Sequence, residues 1–302
     1  MGKPEKIQTL FEAALHNDPN SSNHVGLSFC KGLFYRFTNN KVEAVKHFNH
    51  ARYDSLWKED GIVNMIEIYT GMFQDDFDQN ERVIDAESII VVEKLFEELE
   101  RTNHDITRRK VMQSYFSIRC NSCDAEVLID ELVAILDADK NYVPALLTLA
   151  TLFKLDDETK ARNTLKRLTK MPFNYSHGTA FEHAYLMLAR IYIERDGTSN
   201  LARDLCEKCI NINESSYEAY NMLGLIEEKE QCFAQASRFY RKSWDLGKHM
   251  HPEGGYKLAY NLFRSKSYLE VIEVCDEVLM NHPGYEMIRE GILNRSIMCL
   301  RP

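Results

Sequence analysis

Residues 217–246 read YEAYNMLGLIEEKEQCFAQASRFYRKSWDL. Leu223-Gly224 lie in one amphipathic stretch, and Ala236 and Tyr240, four positions apart, lie in the next. A separation of four puts two side chains on one helical face, and a glycine on the facing helix lets the two axes approach closely. The stretch therefore predicts two antiparallel helices in which Tyr240 fills the space beside Gly224.

The same small-then-large pair recurs down the chain: Ile7/Phe11, Ala44/Phe48, Ala86/Ile90, Ala125/Ile129, Ala161/Leu165, Ala202/Cys206 and Val271/Cys275. The lead positions follow at intervals of 34 to 42 residues. That is close to the roughly 34-residue period of the tetratricopeptide helix–turn–helix unit, whose second helix carries A-x3-F. First-helix partners precede several markers: Gly32 and Tyr35 before Ala44, Leu188-Ala189 and Tyr192 before Ala202, and Leu258-Ala259 before Val271. The expected fold is all-α, a tetratricopeptide α-solenoid built as a right-handed superhelix of antiparallel helix pairs. Its expected packing residues are Gly32, Tyr35, Ala44, Phe48, Ala189, Ala202, Gly224, Ala236, Tyr240 and Ala259.

Three regions are expected. Residues 1–20 read as the second helix of a truncated repeat, with Ile7, Phe11 and Ala14 inward and Asp18-Pro19 closing it. Beginning in mid-repeat suggests the C-terminal piece of a longer protein. Residues 24–285 read as about seven tetratricopeptide-like repeats, starting near 24, 60, 105, 141, 181, 217 and 252, the last closed by His282-Pro283-Gly284-Tyr285. Residues 286–302, with Ile288, Ile292, Ile297 and Leu300 among polar neighbours, read as a C-terminal capping helix.

Composition narrows function. A formal net charge of −9 argues against nucleic-acid binding, which needs clustered cations to displace counterions. Arg108-Arg109-Lys110 is the best basic run, read as a solvated helix face or, less favourably, a polyanion contact. Asp75, Asp76 and Asp78 read as an exposed interhelical loop. Apolar runs such as Ile89-Ile90-Val91-Val92 are far short of the roughly 20 residues of a spanning helix, so no transmembrane segment is expected. The N-terminus carries neither an apolar signal core nor the Ser or Thr of a myristoylation site. A cytoplasmic chain follows, and its eight cysteines are expected reduced.

No catalytic signature is present: neither G-x-S-x-G, nor a phosphate-binding loop, nor H-E-x-x-H occurs. Cys120-x2-Cys123 and Cys206-x2-Cys209 have zinc-like spacing, but the first reads as an interhelical turn and the second as helix core. His47, His50, His249 and His251 lack a ligand pattern. No enzyme activity, metal or cofactor is expected. The peptide-carboxylate clamp of some tetratricopeptide cochaperones is missing, its positions holding Phe29 and Leu33 in one unit and Asn221 and Leu225 in another. The candidate partner-binding residues are Tyr256, Tyr260 and Phe263, one stripe on the last first helix, facing either a groove or the terminal cap.

More specific stretches run in order along nearly the whole chain. They include HFNHARYDSLW (47–57), NMIEI (64–68), PALL (144–147), ARNTLKRL (161–168), EEKEQ (227–231), GYKLAYN (255–261), VIEVC (271–275), His282-Pro283 and the terminal Leu300-Arg301-Pro302. In these the chain resembles the C-terminal region of the tetratricopeptide repeat protein 21 family, the large repeat-only subunit of the intraflagellar transport A complex. The resemblance implies a non-catalytic interaction scaffold for retrograde ciliary transport and ciliary cargo entry, at the cilium and ciliary base. Its implied partners are other A-complex subunits, including WD-repeat proteins. The competing expectation is a substrate- or partner-recruiting repeat domain of a larger enzyme or ubiquitin-ligase assembly.

Overall fold

The computed structural model describes residues 4–17, 24–38, 40–72, 84–102, 105–120, 124–195 and 199–300. Helices joined by turns make up this chain, with no strand among the described residues. It divides into two compact units, Lys3–His183 and Ala184–Pro302.

In the first unit α1 (Pro4–Asn17) precedes four helix pairs: α2 (Val25–Phe37) with α3 (Lys41–Ala51), α4 (Lys58–Thr70) with α5 (Ala86–Glu100), α6 (Ile106–Cys120) with α7 (Ala125–Ala138), and α8 (Val143–Asp156) with α9 (Glu158–Thr169). Every second helix here starts on an Asn or Asp side chain that accepts a first-turn N–H: Asn40, Asp85, Asp124 and Asp157. Such a cap contributes about 1 kcal/mol and, by fixing where the helix begins, sets which residues face inward. The fourth helical residue in α3 and α9 is a fully buried alanine, Ala44 or Ala161, with Phe48 or Leu165 buried one turn on. Helix α4 ends on Gly71 in the left-handed region (φ 65°), where its N–H and that of Met72 bond back to Ile68 and Glu67.

Caps correct two of the sequence pairs. Asp85 and Asp124 place Ala86 and Ala125 at the exposed first position of their helices, before the core begins. Ile90 is 52% exposed and Ile129 is only half-buried. The packed residues are instead Val92, Leu95, Phe96 and Leu99 in α5, and Leu128, Leu132 and Leu136 in α7. Ile7 of α1 is also exposed; Phe11 holds that helix by an edge-to-face contact with Phe34 at 5.7 Å. Asp18-Pro19 and Asp75, Asp76 and Asp78 lie outside the described residues.

Helix α10 (Gly178–Glu194) leads into the second unit, where α11 (Ser199–Ile212) is followed by α12 (Tyr217–Lys229) with α13 (Phe233–Leu246), and α14 (Pro252–Arg264) with α15 (Tyr268–Asn281). Both α12 and α14 end on a left-handed residue that is not glycine, Gln231 (φ 60°) and Lys266 (φ 63°). The C-terminal element is not one regular helix. A π turn over Arg289–Leu293 precedes α16 (Asn294–Leu300). The wider turn lets the neighbours Ile292 and Leu293 both bury beside Ile288, while Leu300, expected inside, stays 42% exposed.

Candidate functional site on the first helices of the C-terminal unit

Packing determines which first-helix side chains remain free. A Cβ on Gly32 would lie 2.8 Å from the Phe48 ring, and one on Gly224 would lie 2.8 Å from the Tyr240 ring. Ala44, Ala189, Ala202, Ala236 and Ala259 are fully buried. Tyr35 is half-buried and stacks on His47 at 5.4 Å. Gly255, which the repeat pattern does not mark, is the tightest position: a Cβ there would sit 2.2 Å from Val278 and 3.1 Å from Trp244.

Glu228 of α12 ties three helices together. It accepts hydrogen bonds from the Tyr240 hydroxyl of α13 (2.8 Å) and from the Asn261 amide of α14 (2.9 Å). Burial and this carboxylate both push the Tyr240 phenol well above its ordinary range. On the other edge Arg203 of α11 pairs with Glu227 and Glu230. Arg241 and the Trp244 indole both donate to Glu277 of α15, at 2.9 and 3.3 Å.

Tyr256, Tyr260 and Phe263 are each half-buried and packed against the last core cluster. Each of the three has a different neighbour. Tyr256 meets Tyr285 edge-to-face at 6.4 Å, the Tyr260 hydroxyl accepts from Arg264 at 2.7 Å, and Phe263 packs on Tyr268 at 5.6 Å. A Cβ on Gly291 of the π turn would come within 4.0 Å of the Tyr256 hydroxyl, so the terminal segment passes close to the stripe at Tyr256. The repeat pattern marks Tyr285 only as part of the closing turn and does not mark Glu253.

The remaining candidate groups are engaged in structure. Arg108 lies 3.7 Å from Asp60 and 3.9 Å from Glu67, and Arg109 lies 3.6 Å from Glu100, so the basic run is an ion-paired helix face. Arg36 bonds both Asn64 and Glu67 across α2 and α4, at 2.5 and 2.6 Å. The Ser28 hydroxyl meets His47 Nδ1 at 3.0 Å. Cys206 and Cys209 are buried in α11, and burial pushes the Cys206 thiol up to about 12. Cys120 is the last residue of α6 rather than part of a turn, and Cys123 lies outside the described residues. Among the described residues no group of three or more His, Cys, Asp or Glu is placed to hold a metal, and no helix is long and apolar enough to cross a membrane.

Residues 91–297 match the family model described as the tetratricopeptide repeat protein 21 C-terminal ARM domain. This chain belongs to the tetratricopeptide repeat protein 21 family. Residues 1–70 match the fifth ARM repeats domain of the same family. Human tetratricopeptide repeat protein 21B is 33% identical over 100% of this chain and 24% of its own length, and human tetratricopeptide repeat protein 21A is 31% identical over the same shares. The chain thus spans about a quarter of the tetratricopeptide repeat protein 21 relatives it matches. Among solved structures, the crystal structure of the APC/C hetero-tetramer Cut9-Hcn1 aligns with a TM-score of 0.63 at 11% identity, covering 99% of this chain and 54% of that one. That likeness is one of fold: helix pairs repeated as in a tetratricopeptide solenoid.

Proposed function

We propose that this chain is a non-catalytic protein-interaction scaffold, a segment of the large repeat subunit of the intraflagellar transport A complex. It would serve retrograde transport and cargo entry, in the cytoplasm and at the cilium and its base. The observation that supports this most is the family match over residues 91–297 on a chain of stacked helix pairs. Stacked helix pairs present extended faces to solvent, which suits docking. Bonds between helices are consistent with that reading, since Arg36 bonds Glu67 and Asn261 bonds Glu228. Partners are other A-complex subunits, WD-repeat proteins among them, meeting first-helix side chains such as Tyr256, Tyr260 and Phe263. The test is a pull-down from ciliated-cell lysate with this chain as bait. Recovery of A-complex subunits supports the scaffold reading, and a folded bait that recovers none refutes docking by this segment.

A further inference from the structure

In the C-terminal unit the chain repeatedly covers its aromatic rings with its own cations. Lys242 lies 4.3 Å over Tyr220, Lys257 lies 6.0 Å over Tyr240, and Arg264 lies 4.1 Å over Phe233 and 5.7 Å from the Tyr260 ring. Tyr256 and Tyr285, like the Phe263–Tyr268 pair, have no such cover among the described residues. Their rings stand at 80° with centroids 6.4 Å apart, both half-buried, and no cation of the described residues covers either. Neither hydroxyl has a hydrogen-bond partner among the described residues.

The charge beside this corner is negative. Glu253 precedes Tyr256 by three residues on α14, which puts the two on one helical face. It is exposed and makes no ion pair among the described residues. Tyr285 feels it: after burial, the Glu253 carboxylate is the largest influence raising that phenol above its ordinary value. Two perpendicular ring walls and an unpaired carboxylate suit a cationic side chain, which is attracted by the ring faces and the anion together.

A second observation comes from α12. Asn221 is only 7% exposed, its carboxamide makes no hydrogen bond among the described residues, and it is the amide that keeps contact with solvent. That amide is open to a partner, and it carries the donor and acceptor that a peptide group matches. Asn221 stands on α12 where Tyr256 stands on α14, each three residues before a buried small residue, Gly224 or Ala259.

We propose that the corner of Tyr256, Tyr285 and Glu253 receives an arginine or lysine side chain carried on an extended segment of a partner protein, whose main chain is met by Asn221. This deepens the scaffold reading and rests on it.

The probes are fluorescently labelled peptides (Arg-Ala)4, (Lys-Ala)4 and neutral (Gln-Ala)4, titrated with the folded chain by anisotropy. The basic probes are expected to bind about tenfold more tightly than the neutral one. Glu253→Lys and the double variant Tyr256→Leu/Tyr285→Leu should remove that preference. Asn221→Leu should weaken all probes alike, while Glu207→Lys on the exposed face of α11 should change nothing. Circular dichroism melting checks that each variant is folded. Equal binding of basic and neutral probes overturns the site, as does a Glu207→Lys loss as large as that of Glu253→Lys, which would mark diffuse acidity. Loss of peptide preference with A-complex recovery intact would remove this site alone, whereas preference retained without recovery would remove the scaffold reading alone.

Discussion

Gly224 of α12 and Tyr240 of α13 are packed so closely that a methyl group on the glycine would overlap the ring at 2.8 Å. The Tyr240 hydroxyl is held in turn by Glu228, so the ring cannot swing aside without losing that bond. We predict that Gly224→Ala destabilises the chain by about 1–3 kcal/mol and Gly224→Leu by at least as much. Replacing Tyr240 by Leu in the Gly224→Ala background should recover part of the loss. A double-mutant cycle by urea unfolding checks this, and strict additivity of the two changes would sink it.

Gln231 and Lys266 hold left-handed backbone at the ends of α12 and α14, a region that disfavours side chains with a Cβ. Their carbonyl and N–H neighbours close the turns, with Cys232 N–H bonding Glu227 and Ser267 N–H bonding Leu262. Glycine at either place should raise stability by about 0.5–1 kcal/mol, the relief of strain exceeding the added freedom of the unfolded chain. Thermal melting of Gln231→Gly and Lys266→Gly provides the check; a lower Tm in both would contradict the argument.

Cys206 and Cys275 are buried, and desolvation raises each from 9.0 to about 12. An acid whose folded value is raised contributes stability that is full below the unfolded value and lost as pH rises through the folded one. Stability should therefore hold to about pH 9 and fall progressively toward pH 12. Below pH 9 a thiol reagent should modify exposed Cys30, Cys232 and Cys299 quickly and reach Cys206 and Cys275 only on unfolding. Mass mapping after brief labelling decides the matter.

His47 shows the opposite sign in the first unit. Burial lowers it from 6.5, helped by Lys31, His50 and Lys46 and opposed by Glu43, while its Nδ1 meets Ser28 at 3.0 Å and its ring lies on Tyr35. A base with a lowered folded value stabilises above its unfolded value and ceases to do so as pH falls below it. The first unit should lose stability as pH drops from 6.5, and His47→Gln should flatten that dependence. Hydrogen exchange in α2 and α3 at pH 7 and 5.5 would show it, and identical slopes in wild type and variant would refute it.

The repeated helix pair was legible because close packing needs few residue types: a small residue on one helix and a ring on the other, as at Gly32/Phe48 and Gly224/Tyr240. Where the alanines misled, at Ala86 and Ala125, the caps carried the missing information. Asp85 and Asp124 fix the helix starts, and counting from them reaches Leu128 and the buried face of α7. Gly255 could not be read from the repeat, because its constraint comes from Trp244 and Val278 on two other helices. The aromatic stripe was legible as a face, yet its division among Tyr285, Arg264 and Tyr268 depends on side chains from three separate segments. The π turn that buries both Ile292 and Leu293 likewise leaves no mark in a regular helical period.

In the proposed role this segment docks A-complex subunits through first-helix side chains. Its most direct test is size-exclusion co-elution of the purified chain with purified A-complex subunits, beside a folded Tyr256→Ala/Tyr260→Ala/Phe263→Ala variant. The scaffold account predicts co-elution of the wild-type chain with at least one subunit and its loss in the variant. A folded wild-type chain that co-elutes with none of them would contradict it.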